Sequence, residues 1–183
     1  MTAANPYASY LQDKDPLRVL AATPRTIEEL TEELGSERMD ESPAPGKWSP
    51  REILCHLADC EIAFSFRLRQ TLAEDNHVIQ PFDQEKWAAA YPAYEAHDAL
   101  ALFCDTRKWN MALFRSLTPE QRQRAASHPE RGPLTFWTIV ETMAGHDLNH
   151  LQQLQAIAAS FAPANHPAPG NHPPHRGYAQ TED

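Results

Sequence analysis

The spacing of apolar and polar positions along the chain predicts long helices. The clearest signal runs from Pro50 to about Glu74, where apolar residues recur at intervals of three and four. The members of this stripe are Ile53, Leu57, Cys60, Phe64, Leu68 and Leu72. Ser49 and Glu52 form a capping box at its start, and Pro50 suits the first helical position. No stretch shows the period-two alternation that is typical of strands.

Cap signals divide the first part of the chain into two predicted helical pieces. Asp15-Pro16 predicts a short helical turn through Leu20. Thr23-Pro24 predicts the start of a separate helix that ends at Leu34. The residues before position 15 are polar, and we expect them to be irregular at their start.

Two more helices complete the predicted set. One runs from about Glu95 to Ser116, and the other from Phe136 to about Phe161. Between them, the Pro- and Gly-containing segment 128–133 predicts a loop. Four amphipathic helices of this kind predict an all-α fold, an antiparallel four-helix bundle in one domain over residues 1–161. Residues 162–183 are rich in Pro and His and predict a disordered tail.

Composition and charge narrow the classes of function. The formal net charge of −9 and the scattered basic residues argue against binding to nucleic acid. No apolar run is long enough to span a membrane, and the first residues lack the features of a secretory signal. Three cysteines without paired spacing suit a reducing compartment. We therefore expect a cytoplasmic protein.

Three histidines carry the candidate chemistry. His146 and His150 are four residues apart in the last helix and project from one face, which is also its apolar face. His56 lies at the edge of the apolar stripe of another helix. Three imidazoles with open coordination positions are typical of a catalytic metal site. The alternative is a buried polar network among His, Asp and Gln residues, which would satisfy the same groups.

Neighbouring polar residues extend this hypothesis. Glu52 lies four residues before His56 and could orient it, although its role in the capping box is the favoured one. Cys60 is a weaker candidate as a fourth ligand. Arg67 lies about three turns from His56 on nearly the same line, where a cation could hold a substrate carboxylate.

Other known metal motifs are missing from the sequence. There is no HExxH motif of zinc proteases, and no candidate histidine has the Glu three residues before it that di-iron bundles use. These absences favour a single ion. Asp147 and Asn149 lie off the ligand face, and we expect them at the surface or behind the ligands.

Several segments together resemble a known family, the DinB-like superfamily, and within it the YfiT-type branch of metal-dependent hydrolases. The similar segments, in order, are GKWSPREILCHLAD (46–59), RLRQTLAEDNHVIQPFDQEKWA (67–88), LFRSLTPEQ (113–121), HPERG (128–132) and GHDLNH (145–150). The resemblance implies a four-helix bundle that forms a homodimer. It also implies a metal held by His56, His146 and His150, with Arg67 and the Asp83–Trp87 segment beside the pocket.

The resemblance leaves three functions open. Relatives include S-transferases that use a low-molecular-weight thiol, such as bacillithiol or mycothiol, and the first hypothesis is such an enzyme acting on a small electrophilic substrate. The second is a hydrolase in which the metal activates water, with Glu52, Asp59 or Asp83 as candidate bases. The third is a non-enzymatic metal-binding protein of the stress response. Nitrogen ligands suit zinc, nickel or iron(II), and the sequence does not choose among them. We expect zinc or nickel, with iron or manganese as alternatives.

Overall fold

A computed structural model describes residues 5–161 of the 183-residue chain. Its four long helices are α2 (Pro16–Leu34), α3 (Pro50–Ala73), α5 (Ala96–Ser116) and α7 (Phe136–Phe161). The shorter elements are α1 (Ala8–Leu11), α4 (Gln84–Ala88), α6 (Pro119–Arg122), two 3₁₀ turns (Ser36–Arg38 and Tyr91–Ala93) and strands β1 (His77–Val78), β2 (Ala125–His128) and β3 (Gly132–Thr135). The predicted four-helix bundle is confirmed, while the predicted tail, 162–183, lies outside the described residues.

The capping box predicted for α3 is present. The Glu52 amide donates to Ser49 Oγ at 3.3 Å, and the Ser49 amide donates to Glu52 Oε2 at 2.8 Å. These two bonds satisfy amides that have no partner within the helix. They also commit the Glu52 carboxylate to the helix terminus, so it does not orient His56.

The division of the first helical region at Thr23 is wrong. Helix α2 is continuous through Pro24, and it begins where Asp15 Oδ1 accepts from the amides of Leu17 and Arg18. Pro24 has no N–H to give to the carbonyl of Leu20, four residues earlier. That carbonyl instead accepts a hydrogen bond from Arg107 Nη1 of α5 at 3.1 Å. A partner from another helix thus lets α2 continue past its proline.

A small sheet also departs from the prediction. Strand β2 pairs in parallel with β1 and antiparallel with β3. The β2–β3 hairpin includes part of the segment 128–133 that was predicted as a loop. Strands of two to four residues are too short to show a period-two pattern, which explains why the sequence did not reveal them. The segment before α2 also contains the short helix α1, where irregular chain was expected.

The directions of the helices follow from their cross-helix contacts. Helices α3 and α5 run parallel, because Glu61 contacts Arg107 and Ser65 contacts Asn110 further along both helices. Helix α7 runs antiparallel to α3, and α2 runs parallel to α7. The bundle therefore contains two parallel neighbouring pairs besides the antiparallel neighbours that the sequence predicted. Parallel neighbours need a long connection, and residues 74–95 run back along the bundle to join α3 to α5.

The apolar core has two clusters, one near each end of the bundle. One cluster combines the second halves of α2 and α7 with the first halves of α3 and α5. The other combines the first halves of α2 and α7 with the second halves of α3 and α5. The candidate histidines lie between these clusters. None of the helices within residues 5–161 is long and apolar enough to cross a lipid bilayer.

Candidate metal centre

The three predicted histidines meet in the interior of the bundle. His56 comes from α3, and His146 and His150 come from consecutive turns of α7. His56 Nε2 lies 3.0 Å from His146 Nε2, which lies 3.1 Å from His150 Nε2. All three side chains are buried. The antiparallel packing of α3 on α7 creates this meeting point, because it sets one turn of α3 against two turns of α7.

The surroundings keep the three imidazoles neutral. Burial, together with the nearby His150, lowers the pKa of His56 to about 3. Burial also lowers the pKa of His146 and of His150. His150 Nδ1 lies 3.0 Å from Gln153 Oε1, so Nδ1–H donates to this oxygen and Nε2 keeps a free lone pair. Neutral imidazoles with such lone pairs are the form that binds metal ions.

The donor set fits one divalent transition metal. Two nitrogens bound to the same tetrahedral zinc are about 3.3 Å apart, given bonds of about 2.0 Å. The observed separations of 3.0 and 3.1 Å are close to this value. Within residues 5–161, the His, Cys, Asp and Glu side chains whose ligand atoms all lie within 4.8 Å of one another are these three histidines. Three nitrogen ligands leave at least one coordination position open.

Cys60 lies beside the triad without joining it. Its Sγ is 3.4 Å from His56 Nε2, but the thiol is not part of the cluster defined by mutual distances. Burial raises the pKa of Cys60 well above its ordinary value, which favours the thiol over the thiolate that binds metals. The arrangement thus favours an open three-histidine site over a closed site with a fourth ligand.

Aromatic rings enclose the histidines on several sides. The centroid of the Trp48 ring is 4.8 Å from that of His56. The Tyr7 ring meets His146 edge-on at 5.2 Å, and Phe64 contacts His146 at 6.0 Å. Such a setting excludes water from much of the site and strengthens electrostatic interactions within it.

A buried ionic network lies directly behind the triad. Arg107 of α5 donates to both carboxylate oxygens of Glu61, at 3.0 and 2.8 Å, and to both of Asp147, at 2.6 and 3.1 Å. Burial alone would lower the pKa of Arg107, but the two carboxylates outweigh it and raise the pKa above its ordinary value. Asp147 is therefore fully buried. Its predicted position off the ligand face is correct. It was expected either at the surface or behind the ligands, and it lies behind them.

A cavity of about 700 Å³ opens onto two of the three histidines. Its lining residues combine apolar and polar groups: Tyr7, Pro43, Gly46, Lys47, Trp48, Ile53, His56, Gln84, Glu85, Asn149, His150, Gln153, Ala156, Ile157 and Ser160. This volume is typical of small-molecule sites. The cavity therefore connects the candidate metal centre with a space of the size that a small substrate needs.

Arg67 and Asp83, the predicted catalytic residues, lie outside this lining. The Arg67 guanidinium stacks over Phe64 and Phe82 and donates to the Gln80 carbonyl at 3.1 Å. Phe64 thus packs against both the Arg67 guanidinium and the His146 ring. The roles of both residues stay predictions.

Asp83 serves a structural purpose in this arrangement. Its carboxylate caps α4 by accepting from the Lys86 amide at 3.2 Å, and it pairs with the Lys86 ammonium at 3.0 Å. The two residues that follow it, Gln84 and Glu85, do line the cavity. Asp59, another candidate base, is half-buried, and burial raises its pKa while a hydrogen bond from Tyr91 opposes the rise.

Several residues of the site escaped the sequence analysis. Gln153 could have been found, since it lies three residues after His150 on the same helical face. Asn149 was expected at the surface or behind the ligands, and its place in the cavity lining was not predicted. Tyr7 gave no signal, because a segment of a few residues before the first long helix has no periodicity that would place it.

Comparisons with known proteins agree with this fold. A profile of the DinB superfamily matches residues 20–154, which include all three histidines. A protein of Oceanobacillus iheyensis, "Putative metal-dependent hydrolase OB0782", is 30% identical over 135 residues, covering 73% of this chain and 78% of that protein. "Putative metal-dependent hydrolase YfiT" of Bacillus subtilis is 24% identical over 145 residues, covering 78% and 82% respectively.

The fold is also similar to a solved structure. The structure of YfiT from Bacillus subtilis, described as "a probable metal-dependent hydrolase with an unusual four-helix bundle topology", superposes with a TM-score of 0.74. The alignment covers 80% of this chain and 85% of that one, at 23% identity. At this identity, the similarity supports the shared bundle architecture alone.

Proposed function

This chain belongs to the DinB superfamily, and we propose that it is a metal-dependent enzyme acting on a small electrophilic substrate, as a thiol-dependent S-transferase or as a hydrolase. The observation that carries the proposal is the convergence of three buried, neutral imidazoles beside a cavity of about 700 Å³. His56, His146 and His150 would hold one divalent transition metal, for which zinc and nickel are favoured and iron and manganese are allowed. Such a metal lowers the pKa of a thiol or water in its open position and supplies a nucleophile at neutral pH.

The surrounding residues prepare the histidines for this role. Gln153 holds the His150 ring in the tautomer whose Nε2 faces the other two ligands. Trp48 packs against His56 and restricts the rotation of its ring. Because the imidazoles are already neutral and oriented, little reorganisation is needed when an ion binds.

The cavity supports a small substrate with both polar and apolar parts. Trp48 and Ile157 offer apolar surface, while Lys47 offers a cation and Asn149 an amide. We propose that the substrate lies along these groups with its electrophilic atom towards the histidines. Among the described lining residues, Lys47 is the one cation that could pair with a carboxylate on the substrate or on a thiol cosubstrate.

The polar groups of the cavity favour the transferase over the hydrolase. Among the described lining residues, Glu85 is the one carboxylate available as a general base. Hydrolysis gains from a base that takes a proton from water, whereas a thiolate attacks without one. We therefore place thiol transfer first and hydrolysis second, with Glu85 added to the candidate bases.

We also propose supporting roles for Arg67 and Asp83. Arg67 forms no ion pair with any residue in the range 5–161, so its charge is available to a substrate carboxylate that extends past Phe64. Asp83 would act indirectly, because its cap fixes the start of α4 and so positions Gln84 and Glu85 at the cavity.

A thiol-conjugation assay tests the proposal. Protein loaded with zinc or nickel is mixed with cysteine and monochlorobimane, whose chloride leaves as the C–S bond forms. We expect metal-dependent turnover that falls at least about 100-fold in His146→Ala, since the ligand set is broken. His97→Ala, which removes an exposed histidine of α5, is the matched control and should keep both metal and turnover.

Other results would change the assignment. Activity on esters or amides in the absence of thiol would favour the hydrolase. Stoichiometric metal binding with neither thiol conjugation nor hydrolysis of esters or amides would indicate a non-enzymatic metal-binding protein. Unchanged metal content in His56→Ala, His146→Ala and His150→Ala would show that the metal centre itself is wrong.

The protein is further proposed to be a homodimer. Large apolar side chains are exposed on two adjacent, parallel helices: Ile62 and Phe66 on α3, and Leu102 and Trp109 on α5. Glu61 contacts Arg107, so Ile62, Phe66 and Trp109 lie at similar heights along the bundle. A symmetric contact through this face would remove these side chains from water.

A further inference from the structure

A short segment ahead of the bundle is locked against the candidate metal centre. We call residues 5–14 the N-terminal strap; it contains α1 and ends where α2 begins. Its contact with α7 is unusually close at Gly145, where an added Cβ would lie 2.5 Å from the Tyr7 carbonyl oxygen and 2.7 Å from Tyr7 Cβ. Because both of these atoms belong to fixed parts of the strap, only glycine allows this approach.

The strap is anchored on both sides of this contact. Leu11 is buried in the core cluster that includes the first half of α7. The Asn5 side chain accepts from the Tyr7 amide at 2.9 Å, and the Tyr7 carbonyl accepts from the amides of Tyr10 and Leu11. These bonds fix the backbone of Tyr7, so the direction of its side chain is set by the docking of the strap.

The Tyr7 side chain reaches the candidate site. Its ring stands edge-on to His146, with centroids 5.2 Å apart and an interplanar angle of 82°. The same side chain lines the cavity together with His56 and His150. A phenol is protonated at neutral pH and is therefore a hydrogen-bond donor. Within residues 5–161, no side chain or backbone group accepts a hydrogen bond from this hydroxyl.

We propose that Tyr7 is a ligand-contacting residue of the cavity, whose hydroxyl donates a hydrogen bond to an anionic group held beside the three histidines. The ligand class is a small anion or the anionic end of a substrate, because a free phenol donor at a partly buried position favours negative charge. The family profile matches residues 20–154 and therefore does not cover the strap, residues 5–14. The inference rests on the proposed metal centre.

Azide binding to the cobalt-loaded protein tests this role without relying on turnover. The full-length protein is loaded with Co²⁺ and titrated with azide, and the visible absorption of the cobalt reports binding. Tyr7→Phe removes one hydroxyl and keeps the ring against His146. We expect unchanged cobalt content and an azide dissociation constant about tenfold higher, the effect of losing one hydrogen bond to a charged group.

Two further variants separate the hydroxyl from the strap. Tyr10→Phe removes the other strap phenol, whose ring centroid is 6.3 Å from that of Tyr7, and should leave azide affinity unchanged. Gly145→Ala should displace the strap and weaken azide to the same degree as Tyr7→Phe. The double variant should show no additional loss, because both changes remove the same contact.

Each outcome bears on the inference. Unchanged azide affinity in Tyr7→Phe overturns it, as does an equal loss in Tyr10→Phe. Failure of the wild-type protein to bind cobalt overturns both the metal centre and the role of Tyr7. A Tyr7-dependent azide site in a protein without turnover supports the inference while the proposed enzymatic function fails. If Gly145→Ala does not fold, Tyr7→Phe and Tyr10→Phe still decide the question.

Discussion

Each histidine of the triad is an ordinary residue placed in an unusual environment. An isolated buried imidazole is costly because it loses its hydration. Here the Nε2 atoms of His146 and His150 lie within hydrogen-bond distance of one another, and Gln153 satisfies His150 Nδ1. The spacing of four residues was enough to predict that these two histidines share a face. The partner on α3 was predicted as well, because His56 borders an apolar stripe.

The buried histidines make the stability of the metal-free protein depend on pH. The pKa of His56 is about 3 in the folded state and about 6.5 in the unfolded chain. Between these values the unfolded chain binds more protons, so stability falls as pH drops from 6.5 towards 3. At pH 4.5 this residue alone should cost about 2 to 3 kcal/mol relative to pH 7.

Urea denaturation of the metal-free protein at pH 7 and pH 4.5 measures this dependence. His56→Leu should lose about 2 kcal/mol less stability over the same interval, because it has no proton to gain. His97→Ala changes an exposed imidazole and should follow the wild-type profile. Identical pH profiles for wild type and His56→Leu would contradict the depressed pKa.

At the scale of helices, Arg107 joins all four members of the bundle. It lies on α5, pairs with Glu61 of α3 and Asp147 of α7, and donates to the Leu20 carbonyl of α2. The bond from Arg107 to the Leu20 carbonyl explains why a helix start was wrongly predicted at Thr23. Sequence rules place prolines at helix ends because proline leaves a carbonyl unpaired. In this protein a distant arginine supplies the missing donor, and no local pattern could have revealed it.

Removing Arg107 should destabilise the protein strongly. Arg107→Met leaves two buried carboxylates without their cation, although Glu61 still accepts from Asn110 Nδ2, and we expect a loss of about 3 to 5 kcal/mol in the free energy of unfolding. Adding Glu61→Gln and Asp147→Asn to this variant removes the orphaned charges and should recover part of the loss. The exposed pair of Arg25 and Glu29 gives the control, since Arg25→Met should change stability little. A small effect of Arg107→Met in urea titrations would refute the structural role of the network.

At the scale of the whole molecule, the metal centre and its cavity depend on which helices pack against one another. Consecutive long helices α2 and α3 each pack against α5 and α7. The long connection of residues 74–95 permits α3 and α5 to be parallel, and it carries Gln84 and Glu85 to the cavity. The bundle was predicted from its four amphipathic segments. It was predicted as antiparallel, and its two parallel pairs were not foreseen, because an apolar stripe shows that a helix has a buried face but not which helix covers it.

The proposed homodimer is tested at this scale. Charge inserted into the exposed apolar face of α3 and α5, as in Phe66→Glu or Trp109→Glu, should convert a dimer to a monomer, because a buried unpaired carboxylate opposes association. Analytical ultracentrifugation gives the masses. Val78→Glu, at another exposed apolar position, should leave the dimer intact. A wild-type protein that sediments as a monomer would refute the proposal.

Apart from the division of α2 and the short helix α1, the sequence by itself determined where the long helices lie, which of their faces are buried and which histidines share those faces. These properties depend on periodicity and on capping residues within a few positions of each other, so they can be predicted locally. Only the tertiary structure decided that Tyr7 docks on Gly145, that Arg107 meets Leu20, and that three short strands pair. Except for the β2–β3 hairpin, each of these contacts joins residues far apart in the chain. The Leu20 carbonyl and the backbone of β1 gain hydrogen-bond partners that no local pattern could reveal, and the approach of Tyr7 depends on a glycine in a distant helix.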